Sequence, residues 1–317
     1  MRCIPRGEKL LKWRSVIDNA LACDQLMTGT ASKLAGALSW ASQAMFKRIG
    51  RAMLRPLYRH KSRYGTISWQ LRLCLRWWSE VLQMQLCERR PWNHNDLSVV
   101  QLFVDARGTP AHLGAVAVID DRAYFADWAP TDQILSMFQT RNDSQIMGLE
   151  LLAIAFGFST FKEQCRGRCV RLWSDNVGAE SSTRKGGAKE FDHGSLVHAI
   201  WLFTARHSID LRVDRVPTED NLSDLPSREE YELMKIAGIE RVQPKLDSEF
   251  QNPCAWESLR LYGRLHYVSL LRQLIFHIML LLCFSRAGRM RVQLIALHLD
   301  KTSLDSYFNR RAGVAMT

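Results

Sequence analysis

The sequence predicts an α/β protein: a mixed five-stranded sheet flanked by helices, with a basic helical segment before it and a helical tail after it. Three observations carry this expectation. The run Val99–Val104 is apolar and rich in β-branched and aromatic residues, as a strand buried on both faces should be, and it ends in Asp105. From there, strand-like and helix-like patterns alternate as far as residue 242. The charge is also divided: residues 1–97 hold 17 Lys/Arg against 6 Asp/Glu, residues 98–242 hold 16 against 21, and residues 243–317 hold 10 against 5. Basic flanks around an acidic centre suit a polyanion held by its phosphates while cations occupy the acidic site. Boundaries are accordingly placed at 97/98 and 242/243.

Residues 1–97 read as helical. Ala31–His60 places Leu34, Leu38, Ala41 and Met45 at helical spacing and breaks at Gly50 and Pro56. Ile67–Cys87 is a second amphipathic helix, with Leu71, Leu75, Trp78 and Leu82 on one stripe. Trp69, Trp77 and Trp78 lie among arginines, where stacking on bases competes with an ordinary core role. Glu88–Asn95 reads as a linker.

Gly114–Asp120 and Arg122–Trp128 are short β runs joined at Asp120–Asp121, a hairpin signal. Ala129–Arg141 is a polar loop. Ser144–Phe161 reads as a helix, Cys169–Asp175 as a strand and Gly194–His207 as a helix. Ile209–Val216 alternates strictly, and Glu229–Ile236 closes with a short helix. In the tail, two apolar helical segments follow a linker-like start. Gln273–Ser285 is the most hydrophobic stretch, too short to span a bilayer, so no membrane association is expected. The eight cysteines are scattered; no second Cys/His pair follows Cys165 and Cys169 at zinc-ligand spacing. With no secretory signal, they fit a reducing, intracellular compartment, cytoplasmic or nuclear.

Four carboxylates are odd in their context. Asp105 ends a buried strand. Glu150 shares a helix face with Ile146, Ala153, Ile154 and Gly157, where a lone charge costs several kcal/mol if unpaired. Asp175 stands where a strand hands over to a helix, and Asp224 follows the last strand in Asn221-Leu222-Ser223-Asp224-Leu225-Pro226-Ser227-Arg228. Taken singly, Asp175 and Asp224 read as helix caps. Together the four sit at the ends of neighbouring elements, and they are expected to converge with no Lys or Arg neutralising them. Hard oxygen ligands of this kind suit Mg²⁺, with Mn²⁺ as a substitute. Two such ions about 4 Å apart would activate a water and stabilise the leaving oxygen of a phosphodiester.

Phe103-Val104-Asp105-Ala106 followed by Gly108 and Gly114, then Gly148-Leu149-Glu150-Leu151-Leu152-Ala153, then Leu172-Trp173-Ser174-Asp175-Asn176, then the Asn221–Arg228 motif resemble the four-carboxylate signature of ribonuclease H domains. The variant resembled is the one fused to reverse transcriptases of retrotransposons. Upstream, residues 33–58 are similar to the segment joining the polymerase thumb to that domain. The resemblance implies a ribonuclease H-like fold over 98–242 and a magnesium-dependent hydrolase, an endonuclease that cuts the RNA strand of RNA–DNA hybrids. It implies Asp105, Glu150, Asp175 and Asp224 as catalytic metal ligands, and Asn176 and Asn221 as polar positions touching substrate or ordering the last loop. Arg184, Lys185 and Lys189, in a loop after the third motif, are candidate phosphate contacts. The remainder of a reverse transcriptase would be a partner, since no Tyr-x-Asp-Asp polymerase motif occurs in this chain. The loop Val216–Asp220 lacks the histidine of the cellular enzymes. The alternative of another class is a catalytically inactive nucleic-acid-binding module with the same fold.

Overall fold

The computed structural model describes residues 7–45, 48–62, 64–83, 99–141 and 145–252, all within one compact unit, Met1–Leu261. The linker Glu88–Asn95, the apolar stretch Gln273–Ser285 and the tail from residue 253 lie outside these residues. The chain begins with α1 (Gly7–Cys23), α2 (Thr28–Met45), a 3₁₀ turn at Ala52–Leu54, α3 (Arg55–Arg59) and α4 (Trp69–Gln83). The sheet elements follow: β1 (Val99–Gly108), β2 (Ala111–Ile119), β3 (Arg122–Trp128), α5 (Asp132–Leu135), α6 (Ile146–Thr160), α7 (Lys162–Cys165), β4 (Cys169–Ser174), α8 (Val177–Lys185), α9 (Phe191–Arg206) and β5 (Asp210–Arg215). A 3₁₀ turn at Thr218–Asp220, α10 (Asp224–Ser227), α11 (Tyr231–Ile236), β6 (Glu240–Arg241) and α12 (Ser248–Gln251) complete it.

The sheet has six strands in the order β5-β4-β1-β2-β3-β6 rather than the five expected. The extra strand is only two residues long, pairing Glu240 and Arg241 with Tyr124 and Phe125, too short to show any periodicity. β1, β2 and β3 form an antiparallel meander. Asp120 and Asp121 take φ +49° and +64°, the conformation a two-residue hairpin needs. β4 and β5 join β1 in parallel, so each requires a crossover, supplied by α6 and by α8–α9. β1 does not stop at Asp105. Its ladder runs on to Gly108 paired with Ala111, and Asp105 lies inside it opposite Gly114.

α6 is buried almost all round, with Leu149 to Ser159 all inaccessible. Its Gly157 faces β1, where a Cβ would stand 3.1 Å from the Val104 side chain, so a helix without a side chain there sits close on the sheet. The helical N-terminal segment packs on α9. Trp77 and Trp78 are 2% and 1% exposed, core rather than base-stacking residues, whereas Trp69 is exposed and meets Phe191 edge-on. Cys74 and Cys165 are buried free thiols behaving as small hydrophobes, and burial pushes the Cys165 thiol up to about 12. No described helix is long and apolar enough to cross a membrane.

His198 of α9 lies under this segment, 4.8 Å from Trp77 ring to ring, and neither ring nitrogen has a hydrogen-bond partner. Burial pushes the imidazole from 6.5 down to about 3. Within that window the unfolded chain takes up a proton that the folded chain refuses, so stability falls as pH falls. His198→Leu is expected to raise stability at neutral pH by about 1 kcal/mol and to flatten the acid limb. Urea midpoints at pH 7 and pH 5 check both.

Candidate metal centre

Three carboxylates meet where β1, α6 and the end of β4 converge. One oxygen each from Asp105, Glu150 and Asp175 lies within 4.8 Å of the others. Asp105 is placed by the β1 ladder and Asp175 by the carboxyl end of the parallel strand β4. Glu150 stands in the second turn of α6, not at a solvent edge: it is 5% exposed. Its Oε2 has no hydrogen-bond partner. Burial, and then the negative charges of Asp105 and Asp175, push Glu150 up to about 9, against the opposing Asn176 side chain. Asp105 is also raised by burial, with the Ser227 hydroxyl, which donates to its Oδ2, pulling the other way.

Asp224 does not join this triad. It lines the same cleft, a space of about 580 Å³ that also includes Arg107, Ile146, Thr218, Ser227 and Arg228, but its Oδ1 is held by Arg228 Nε at 2.8 Å. The expectation of four carboxylates free of any cation is therefore corrected. Asp224 opens a one-turn helix, and the residue stacked one turn later is the arginine that ends the same motif. Arg228→Ala is expected to change stability by no more than about 0.5 kcal/mol, since the pair is half-exposed. It should tighten Mn²⁺ binding by releasing Asp224 to the cleft, which isothermal titration would read.

The Asn176 Oδ1 accepts from Ala179 N at 3.0 Å and caps α8, beside Glu150. Asn221 is buried and serves the second of its expected roles, ordering the last loop. Its Nδ2 donates to the Val104 carbonyl at 3.3 Å, and its Oδ1 accepts from Ser223 Oγ at 2.7 Å, tying the last loop to β1. The loop expected around Arg184, Lys185 and Lys189 is in its first half the end of α8, because no breaker occurs before Gly186, whose φ of +77° stops the helix. None of those three residues lines the acidic cleft. Arg184 pairs with Glu180 at 3.1 Å, the Lys185 carbonyl accepts from Arg51, and Lys189 borders a different cavity beside Arg59 and Phe191.

Sequence reasoning missed Ser227 and Arg107. Ser227 lies inside the quoted motif, but nothing in its spacing says which way a hydroxyl on a one-turn helix points. Arg107 follows Asp105 by two and is tied to Glu229 at 2.8 Å. Among the described residues no ion pair reaches Asp105, Glu150 or Asp175, although two arginines border the cleft, each holding its own carboxylate. Three clustered acids with an orphaned buried oxygen fit a hard divalent cation, which would relieve their repulsion and complete the Glu150 hydrogen-bonding deficit.

No protein-family model matches the chain, and no curated protein matches it. Among solved structures it is similar to the N-terminal RNase H domain of a Mycobacterium tuberculosis protein, determined as a fusion with maltose-binding protein. The identity is 14% and the TM-score 0.31, over 44% of this chain and 99% of that one.

Proposed function

We propose that residues 98–242 form a metal-dependent endonuclease of ribonuclease H type, acting on the RNA strand of RNA–DNA hybrids. In this reading Asp105, Glu150 and Asp175 are the principal ligands, and Asp224 joins once it leaves Arg228. Residues 1–97 are then a basic helical arm resembling a thumb and connection, 243–317 a helical tail to which no role is assigned, and the whole the C-terminal part of a mobile-element reverse transcriptase. The observation that supports it most is the buried triad with its orphaned Glu150 oxygen. A pair of Mg²⁺ or Mn²⁺ ions would supply an activated water and neutralise the leaving oxygen. The chain's own residues do the rest. β1 and β4 hold Asp105 and Asp175 rigid, and α6 keeps Glu150 out of water. Ser227 fixes the Asp105 carboxylate, and Asn176 fixes the start of α8. The choice of RNA over DNA would come from ribose 2′-hydroxyls presented to this cleft.

A second reading, a catalytically inactive module that binds nucleic acid, is favoured by the Asp224–Arg228 pair, which occupies one of the four expected ligands. Incubating the purified chain with hybrid labelled on its RNA strand, in Mg²⁺ and in Mn²⁺, separates the two. Fragments ending in 3′-hydroxyl and beginning with 5′-phosphate are expected. Intact hybrid in both metals, with salt-dependent binding retained, would leave only the binding module. Preferential cutting of duplex DNA would instead indicate an integrase or exonuclease on a related fold.

A further inference from the structure

We propose that an arginine-lined cavity at the β5 edge of the sheet is a second nucleic-acid contact, a seat for phosphodiester groups of the strand that enters the acidic cleft. The identity of its ligand rests on the nuclease reading above. The cavity, of about 570 Å³, is bordered by Arg48, Arg171, Arg184 and Arg212 against a single carboxylate, Asp214. These arginines come from four places far apart in sequence: the turn after α2, β4, α8 and β5. They are therefore not the solvated face of one helix.

The carbonyl end of α8 accounts for part of this charge. It favours Arg184 nearby, and Arg184 is also paired with Glu180 at 3.1 Å. That leaves the others. Arg171 shares Asp214 at 2.6 Å, but among the described residues Arg48 and Arg212 have no acidic partner. Arg48 is pressed against the α8 cap, where a Cβ on Gly186 would lie 2.6 Å from its own Cβ. Burial, then the like charges of Arg51 and Arg184, hold its guanidinium below its ordinary value. Like charges gathered this way need an anion from elsewhere.

The chemistry of the rim points to phosphate. The Arg171 guanidinium carbon lies over the Trp173 ring, 4.3 Å from its centre, and Trp173 is held by its Nε1–H donating to Gln101 Oε1 at 2.7 Å. A guanidinium held over a ring and by Asp214 through its Nε keeps its two terminal nitrogens for phosphate oxygens, with little entropy left to lose. The spacing fits one continuous backbone. Arg171 precedes Asp175 by four residues, about 13 Å at strand rise.

The test reads binding, not cleavage. The full chain is titrated with fluorescent RNA–DNA hybrid in EDTA, by anisotropy, at several salt concentrations. Arg48→Ala/Arg212→Ala is expected to lower the slope of log K against log salt by about 2, since each neutralised phosphate contributes about 0.9. A charge-matched control, Arg122→Ala/Arg166→Ala, removes two exposed arginines elsewhere and should leave the slope unchanged. If the double variant melts early, Arg212→Gln alone, on an exposed strand position, should lower the slope by about 1. An unchanged slope, or an equal fall in the control, overturns the proposal; an acidic protein segment as the true occupant would give that unchanged slope. Because no cleavage proceeds in EDTA, a chain that never cuts hybrid sinks the nuclease reading alone.

Discussion

Glu150→Gln is expected to lower hybrid cleavage by at least about 10²-fold, the scale on which losing one stabiliser of transition-state charge costs. Its stability effect is the more diagnostic part. In metal-free protein the Glu150 carboxyl holds its proton up to about 9, against 4.5 for the free side chain. The folded state therefore binds more protons than the unfolded one across that interval. The stabilising contribution is complete below pH 4.5 and drains away as pH rises, by about 1.4 kcal/mol per unit if one proton is involved. Metal is expected to reverse the sign, because a cation would bind the ionised cluster and so stabilise the fold most at the alkaline end. Wild-type protein in EDTA should thus melt progressively earlier from pH 5 to pH 9, with Mg²⁺ or Mn²⁺ restoring the loss. In Glu150→Gln both the slope and the metal response should shrink. A wild-type melting temperature indifferent to pH and to metal would remove the buried triad as a cation site.

Gly114→Ala is expected to cost about 2–3 kcal/mol and to impair cleavage together with stability, an overpacking effect. Gly114 pairs with Asp105 across the β1–β2 ladder, and the last loop comes down on its open face. A Cβ there would stand 2.5 Å from the Ser223 carbonyl and 2.6 Å from Ser227 N. Both are backbone atoms, so the loop itself must lift. Lifting it withdraws the Ser227 hydroxyl from Asp105 and carries Asp224 away from the cleft. A denaturant melt gives the first effect. For the second, a fall in Mn²⁺ affinity by titration is the readout that plain destabilisation would not produce. Unaltered metal binding in a less stable variant would mean that the loop does not position the carboxylates.

The parts of this fold visible in the sequence are those with long-range consequences for burial. Val100, Leu102 and Val104 are apolar and fully buried, so β1 is legible, although its other face, with Val99, Gln101 and Phe103, is covered only in part rather than buried as expected. α6 is legible for the same reason, and within it Glu150 stands out because nothing else there is charged. The Asp120–Asp121 turn is legible because two acidic residues between alternating runs suit positive φ. What escaped depends on geometry that no spacing encodes. α1 has weak amphipathicity, α8 is polar and short, and β6 is a two-residue addition fixed only by its neighbour. The Asp224–Arg228 pair escaped for a different reason. The motif that advertised a ligand also contained its competitor one turn away, and only the helical conformation brings them together.

The seam between the N-terminal helices and α9 has a practical consequence. Gly50, at φ +81°, lets the chain turn beneath Trp77 and Trp78, a Cβ there being 2.8 Å from the Trp78 ring. Trimming the protein back to Val99 would strip this indole roof and bare the face of α9 that carries Phe191 and His198. Such a fragment, though it keeps every strand and every acidic residue of the cleft, should self-associate in solution, so the sheet domain cannot be lifted out by its motif boundaries alone.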